Sequence, residues 1–256
     1  MAIADVAGIP VELSCGLTKD GQTYTNAIVV SMTGSVRKSI ARPEVRQNPA
    51  KVIDTLLLSC VQSIGTISPI TKAEVDKLIL GDRDDLTLAI RKASMGNIVT
   101  ASMTCDSCKE KLDLSIDLST LPVKKLADIP HKMDGDVATF DVNLPEFGIN
   151  ATFRFPNGED QAVVAPMMRR NPIEANYRLY FRCIREWNGK SQKEILPNIF
   201  DELRVDAIDA LSAAFMEAQP GPDLREPTSC PVCGVEIVAS MESSDFLFPL
   251  PKRERT

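Results

Sequence analysis

Apolar and polar positions alternate at the start of the chain. In "VELSCG" the apolar side chains Val11, Leu13 and Cys15 occupy every second position, and a "KDG" turn signal (19–21) leads into the β-branched run "QTYTNAIVVSMTG". Side chains alternate across a strand, so this pattern predicts a hairpin ending near Gly34. The period then changes. In "NPAKVIDTLLLSCVQSIG", Val52, Ile53, Leu56, Leu57, Cys60 and Ile64 form one helical stripe, with Asn48 as N-cap and Pro49 in the first turn. "SPITKAEVDKLILG" predicts a short helix, since Thr71 and Glu74 have capping-box spacing. "GDRDDLTLAIRKASMG" predicts another, with Leu86, Ala89, Ile90 and Ala93 inward and Gly96 as its stop.

Alternation returns in "NIVTASMT" and "KLDLSIDLS", and again in "ATFDVNLPEFGINATFRFP". After "GEDQAVVAPMMRR", the residues Ile173, Tyr177, Tyr180, Ile184 and Trp187 predict one face of a long helix. Val205, Ile208, Leu211 and Phe215 predict the inward face of the next, which "QPGPDLREP" ends. Phe246, Phe248 and Leu250 near the C-terminus are expected to dock on a surface. The chain thus divides into an N-terminal β-hairpin (1–34), a helical segment (35–96), a β module (97–156), a second helical segment (157–219) and a C-terminal knuckle and tail (220–256). The fold class is α+β. Strand pair, helices and a CxxC are given twice, a loose echo without a fixed period.

The cysteines change this picture most. Cys105 and Cys108 form one CxxC, at the tip of a predicted hairpin; Cys230 and Cys233 form another, with the strand "GVEIVASM" leaving it. A pair of thiolates covers one side of a tetrahedron, and tetrahedral zinc takes four ligands. The 121 residues between the pairs far exceed the roughly 15–20 of a compact ribbon. Loop closure costs grow only with the logarithm of length, however, so one shared site is the economical reading. It implies a zinc-ribbon-like unit built from two distant knuckles, holding one structural zinc per chain. An iron–sulfur cluster or a redox dithiol are the alternatives for the same thiols, although neither CxxC opens a helix beside a βαβ pattern.

Composition narrows the function. Of 256 residues, 44% are hydrophobic and 25% charged, and the net charge of −6 with a pI near 5.0 argues against a broad nucleic-acid face. A zinc-ribbon module binding nucleic acid through Arg169, Arg170, Arg178, Arg182 and Arg185 is the competing reading; a solvated helix face is the favoured reading of those arginines, with a partner-binding face as the sharper alternative. The start lacks a basic, apolar leader, and no apolar run spans a bilayer, so a soluble protein made in a cytosol is expected. No phosphate loop, nucleophile elbow or HExxH motif is present, so no catalytic residue is assigned. His131, the single histidine, has no nucleophile partner in sequence. Cys15, Cys60 and Cys183 lie in apolar patterns and read as small buried hydrophobes. In "GDRDD" (81–85) Asp82 is expected to cap a helix, with the other carboxylates favoured by its N-terminus. "NGED" (157–160) reads as a turn and helix start.

In order, "KDGQTYTNAIVVSMTG", "GDRDDLTLAIRKASMGN", "CDSC", "LDLSIDLSTLP", "FRFPNGEDQ", "PGP", "CPVCG" and "DFLF" resemble the T4-type baseplate family of contractile-tailed phages and related injection systems, over most of residues 10–250. The first knuckle departs from the family's "CPxCG" by reading "CDSCK". The resemblance implies a non-catalytic component or assembly factor of the baseplate hub, with Cys105, Cys108, Cys230 and Cys233 as metal ligands. It implies other hub and baseplate proteins as partners, and a tail or injection-system particle as its location.

Overall fold

A left-handed Asp20–Gly21 turn (φ 54° and 76°) folds β1 (Ile9–Lys19) back onto β2 (Gln22–Val29), as the "KDG" signal requires. The protein is described here by a computed structural model covering residues 8–168, 170–240 and 247. Two short helices follow, α1 (Gly34–Ile40) and α2 (Pro43–Arg46). Helix α3 (Pro49–Cys60) starts where expected: the Asn48 side chain accepts from the Ala50 and Lys51 N–H groups, and Pro49 occupies a position that needs no N–H. It stops at Cys60. The chain then runs straight into β3 (Val61–Ile64), which pairs antiparallel with β2 through Val29↔Val61 and Ala27↔Ile64. Ile64 is therefore buried from a strand, not from the helix stripe its spacing suggests.

Helix α4 (Lys72–Lys77) carries the capping box of Thr71 and Glu74. Helix α5 (Leu80–Met95) follows, then the hairpin β4 (Ile98–Thr104) and β5 (Lys111–Asp117) and the short β6 (Val123–Lys124). Leu13, Val29, Val52, Ile53, Leu56, Leu57, Ile64, Leu86 and Ile90 pack into a first core between the β1-β2-β3 sheet and its helices; Leu247 joins them from the C-terminal end of the chain. Phe246, Phe248 and Leu250 lie outside the described residues.

Strands β7 (Lys132–Asp134), β8 (Val137–Leu144) and β9 (Ile149–Arg154) begin a second sheet. Helix α6 (Gly158–Met168) leads to α7 (Pro172–Cys183), which is capped by Asn171 with Pro in its first turn. The chain again turns directly from a buried cysteine into a strand, β10 (Ile184–Trp187), followed by β11 (Lys190–Ser191). The sheet order is β11-β10-β9-β8-β7. Ile184 and Trp187 thus do not extend the helix. They face Phe153 and Ala151 of β9, and a strand buried at both ends has the same three-residue step as a helix turn. Ile173 (62% exposed) and Val205 (74% exposed) also leave their expected stripes. Both sit in the first turn of their helices, before the first buried residues, Ala175 and Ala207. Helix α8 (Val205–Glu217) buries Ala207, Leu211 and Phe215 at four-residue steps. A second core collects these with Phe140, Phe153, Tyr180 and Trp187. The chain ends in β12 (Gly221–Pro222), β13 (Arg225–Ser229) and β14 (Glu236–Ser240).

The echo in the sequence is a structural repeat. Asn48-Pro49 corresponds to Asn171-Pro172, Cys60 to Cys183, and β3 on β2 to β10 on β9, with Val29↔Val61 and Phe153↔Ile184 as equivalent pairs. The Thr71–Glu74 box has its counterpart in Ser191–Glu194. Helix α5 lies on β1 and α8 on β8. Each half then closes with a hairpin that carries a CxxC.

Candidate metal centre

The two knuckles have one backbone. In the first, the Cys105 N–H donates to Glu110 O at 2.8 Å and the Lys109 N–H to Cys105 O at 2.9 Å; in the second, the Cys230 N–H donates to Val235 O at 2.9 Å and the Gly234 N–H to Cys230 O at 2.8 Å. Lys109 (φ 62°) and Gly234 (φ 72°) take the same left-handed position. Register agrees beyond the turn, with Thr104↔Lys111 matching Ser229↔Glu236 and Met103↔Leu112 matching Thr228↔Ile237.

What brings the hairpins together is the pairing of the segment after the first with the segment before the second. β12 pairs with β6 through Gly221↔Lys124 and Pro222↔Val123, and the Asp223 N–H donates to Pro122 O at 2.8 Å. The second half is thereby fastened to the first just ahead of its knuckle. Leu88 of α5 packs with Ile116, Leu118 and Leu121 beneath the first hairpin, and Leu224 of the second half joins them. Cys105, Leu112 and Cys230 then form a small buried cluster flanked by Met103 and Ile237.

The four thiols predicted as one set do meet. Cys105 Sγ lies 3.7 Å from Cys233 Sγ, and Cys108 Sγ lies 3.6 Å from Cys230 Sγ. All four sulfurs lie within 4.8 Å of one another. A disulfide requires about 2.05 Å, so these are free thiols. A tetrahedron of sulfurs about 2.3 Å from a central ion has edges of about 3.8 Å, and the closest spacings match it. Cys105 and Cys230 are buried, whereas Cys108 and Cys233 face solvent. Four thiols at this spacing could hold one metal ion.

The remaining candidates have other roles. Cys15, Cys60 and Cys183 are buried. Burial pushes the Cys60 thiol up to about 11 and Cys183 to about 12, and burial with Asp82 raises Cys15 further. A thiol held protonated is a poor nucleophile. His131 is exposed, its Nδ1 2.8 Å from Ile129 O. Asp82 does not cap α5. The helix already begins at Leu80, and the Asp82 carboxylate instead accepts the Cys15 and Gly16 N–H groups of a bulge in β1. Arg170, Arg178 and Arg185 are exposed, Arg169 lies outside the described residues, and Arg182 is drawn out of the solvated face. With Arg154 it brackets the fully buried Asp160, at 2.5 Å for Arg154 Nη1 and 2.7 Å for Arg182 Nε. "NGED" is thus a turn and helix start that also buries a charge. Sequence spacing did not mark that network, because its three members belong to β9, α6 and α7. A cleft of about 810 Å³ runs between β1 and β8, with charges of both signs in its walls, among them Glu12, Lys125, Glu159 and Arg185.

Among the described residues, no helix is long and apolar enough to cross a membrane. Comparison with curated proteins and with solved structures gives no match. Residues 36–248, which take in the whole second core and both knuckles, match the family described as T4 bacteriophage base plate protein, and the chain belongs to that family of phage tail proteins.

Proposed function

We propose that this protein is a non-catalytic component or assembly factor of the baseplate hub of a contractile tail, stapled by one zinc ion bound to Cys105, Cys108, Cys230 and Cys233. The observation that carries this reading is the gathering of four sulfurs from equivalent turns of the two halves at tetrahedral-edge spacing. Four sulfurs within 4.8 Å of one another suit a single ion, because a multi-iron cluster places bridging sulfides between irons and holds its thiolates farther apart. Four protein ligands would fill the coordination sphere of zinc, which suits a structural rather than a catalytic ion. Binding would join the middle of the chain to its end, and structural zinc supplies on the order of 10 kcal/mol of apparent free energy. The acidic pI of about 5.0 favours protein partners over nucleic acid.

Elemental analysis of freshly purified protein, with its visible spectrum, tests the site. About one zinc per chain without colour is expected. Iron with a brown spectrum would move the thiols to redox chemistry, and absence of any metal would remove the staple. Mass spectrometry of purified tails and of assembly intermediates tests the role. Stoichiometric presence in finished tails indicates a built-in part and presence only in intermediates an assembly factor; presence in neither rejects the proposal.

A further inference from the structure

The sulfur contacts of the metal centre cross from one knuckle to the other. Cys105 Sγ is 3.7 Å from Cys233 Sγ, and Cys108 Sγ is 3.6 Å from Cys230 Sγ. Each contact joins the first cysteine of one CxxC to the last of the other, so the repeat that relates the two halves exchanges the two contacts. Each also joins a buried sulfur, Cys105 or Cys230, to one that faces solvent, Cys233 or Cys108. A small oxidant therefore meets an accessible thiol that is in contact with a sheltered one. That is the arrangement of an oxidisable cysteine beside a resolving cysteine.

We propose that Cys105, Cys108, Cys230 and Cys233 form a peroxide-oxidation site, at which two disulfides, Cys105–Cys233 and Cys108–Cys230, take over the tie between the halves when the ion leaves. This rests on the metal-staple reading above. The solvent-facing sulfur attacks one oxygen of hydrogen peroxide. The O–O bond breaks, the sulfur becomes a sulfenic acid, and the other oxygen takes the thiol proton, or one from solvent where the ion has displaced it, and leaves as water. The buried sulfur then attacks the sulfenic sulfur, the S–S bond forms, and the second oxygen leaves as water in the same way. Each disulfide consumes one peroxide. A sulfur held in a disulfide is no longer a thiolate ligand, so the ion is released. The paired sulfurs have only to close from 3.6 and 3.7 Å to about 2.05 Å. The links would join residues 122 and 128 positions apart, and cross-links that close long loops constrain the unfolded chain most. A CxxC closed on itself would leave the halves untied. Thiols stay reduced in a cytosol and disulfides persist on a virion, so a phage tail protein meets both conditions.

The test uses the wild-type chain. Purified protein of measured metal content is treated with hydrogen peroxide, alkylated, and digested with trypsin without reduction. Cys105 and Cys108 lie on one tryptic peptide, 93–109, and Cys230 and Cys233 on another, 226–252. Mass spectrometry is expected to find the two peptides joined by two disulfides, with the ion released to a chromogenic chelator as two peroxides per chain are consumed. Partial reduction with a second alkylating agent assigns the links, and Cys105–Cys233 with Cys108–Cys230 is the expected pattern. In the presence of chelator, the oxidised chain is expected to melt above the reduced one. Separate peptides, each with its CxxC closed on itself, overturn the proposal. So do links of Cys105 to Cys230 and Cys108 to Cys233, thiols that stay unmodified or pass to sulfinic acids, and equal melting of the oxidised and reduced chains. The metal content read at the start keeps the two readings apart. A metal-free chain whose peptides still join in the expected pattern removes the zinc staple and keeps the oxidation site, whereas one zinc per chain with each CxxC closing on itself does the reverse.

Discussion

Cys15 and Asp82 are joined through the backbone: the Cys15 N–H donates to Asp82 Oδ1 at 2.7 Å, and the Gly16 N–H to the same oxygen at 3.3 Å. One turn along α5, Asp85 accepts the Ser14 N–H at 2.7 Å. The two carboxylates hold the bulge where β1 slips register between Glu12 and Leu17. Asp82 is fully buried, and burial pushes its pKa from an ordinary 3.8 up to about 7, against the opposing bond from Cys15. Burial also raises Asp85, while Lys125 acts in the other direction on both. Between about pH 4 and pH 7 the native state keeps a proton on Asp82 that the unfolded chain has released. Stability contributed by this group is therefore complete at low pH and is lost as pH rises through that window, by an amount of order 2–4 kcal/mol. Urea unfolding of wild type and Asp82→Asn across pH 4–8 should show the variant gaining on wild type as pH rises. A difference that does not change with pH would refute the assignment.

Asp160 titrates in the opposite sense. Burial alone would raise it, yet the bonds from Arg154 and Arg182 hold it below the usual carboxylate range. Its contribution is present above the unfolded pKa and is lost in acid. Removing this charge leaves two guanidinium groups facing a buried neutral amide, and breaking a buried pair costs about 3–5 kcal/mol. Asp160→Asn should therefore lower the unfolding free energy by several kcal/mol at pH 7, and less at acid pH. Asp206→Asn breaks an exposed pair with Arg204 and should change stability by less than about 1 kcal/mol. Equal effects of the two substitutions in denaturant unfolding would contradict the network.

Local signals survived into the fold wherever local chemistry decides. Asn48-Pro49, the Thr71–Glu74 box and the Asp20–Gly21 turn satisfy backbone groups within a few residues, so their meaning does not depend on the rest of the chain. The helix-to-strand breaks at Cys60 and Cys183 were not legible. Apolar residues continue at the same step on both sides, and only pairing with β2 and β9 makes the last four residues strands. The four cysteines could be read as one set because zinc chemistry demands four ligands. The reason they meet, β12 lying on β6, rests on two-residue strands too short for any periodicity. The repeat stayed faint because its halves share caps, cysteines and register but few core side chains: Val29, Val61 and Ile64 become Phe153, Ile184 and Trp187.

Two glycines make the β12 crossing. A Cβ on Gly81 would lie 2.3 Å from Pro220 O, and one on Gly221 would lie 2.6 Å from the Gly81 Cα. The clash is with backbone, so no rotamer relieves it. Gly81→Ala should push α5 away from β12 and cost at least about 2 kcal/mol, loosening the second knuckle from the first. Gly34→Ala meets nothing within 4 Å at the start of α1. It should be neutral or stabilising by up to about 1 kcal/mol, because alanine restricts the unfolded chain. Thermal unfolding separates the two, and a benign Gly81→Ala would mean that the helix and the strand are not in close contact.

Lys109 and Gly234 occupy the same left-handed position in the two knuckles. A side chain there brings its Cβ toward the following carbonyl, at roughly 1–2 kcal/mol. Glycine avoids that strain but gives up some unfolded-state entropy, about 0.4–1 kcal/mol. Lys109→Gly should therefore gain a few tenths to about 1 kcal/mol, turning the first turn, "CDSCK", toward the second, "CPVCG". Gly234→Ala should lose a similar amount through backbone strain alone, since a Cβ at Gly234 meets nothing within 4 Å. Paired melting curves of the two variants at one fixed metal concentration check this, with opposite shifts as the expected result. Shifts of the same sign would mean that the two turns do not share a backbone conformation.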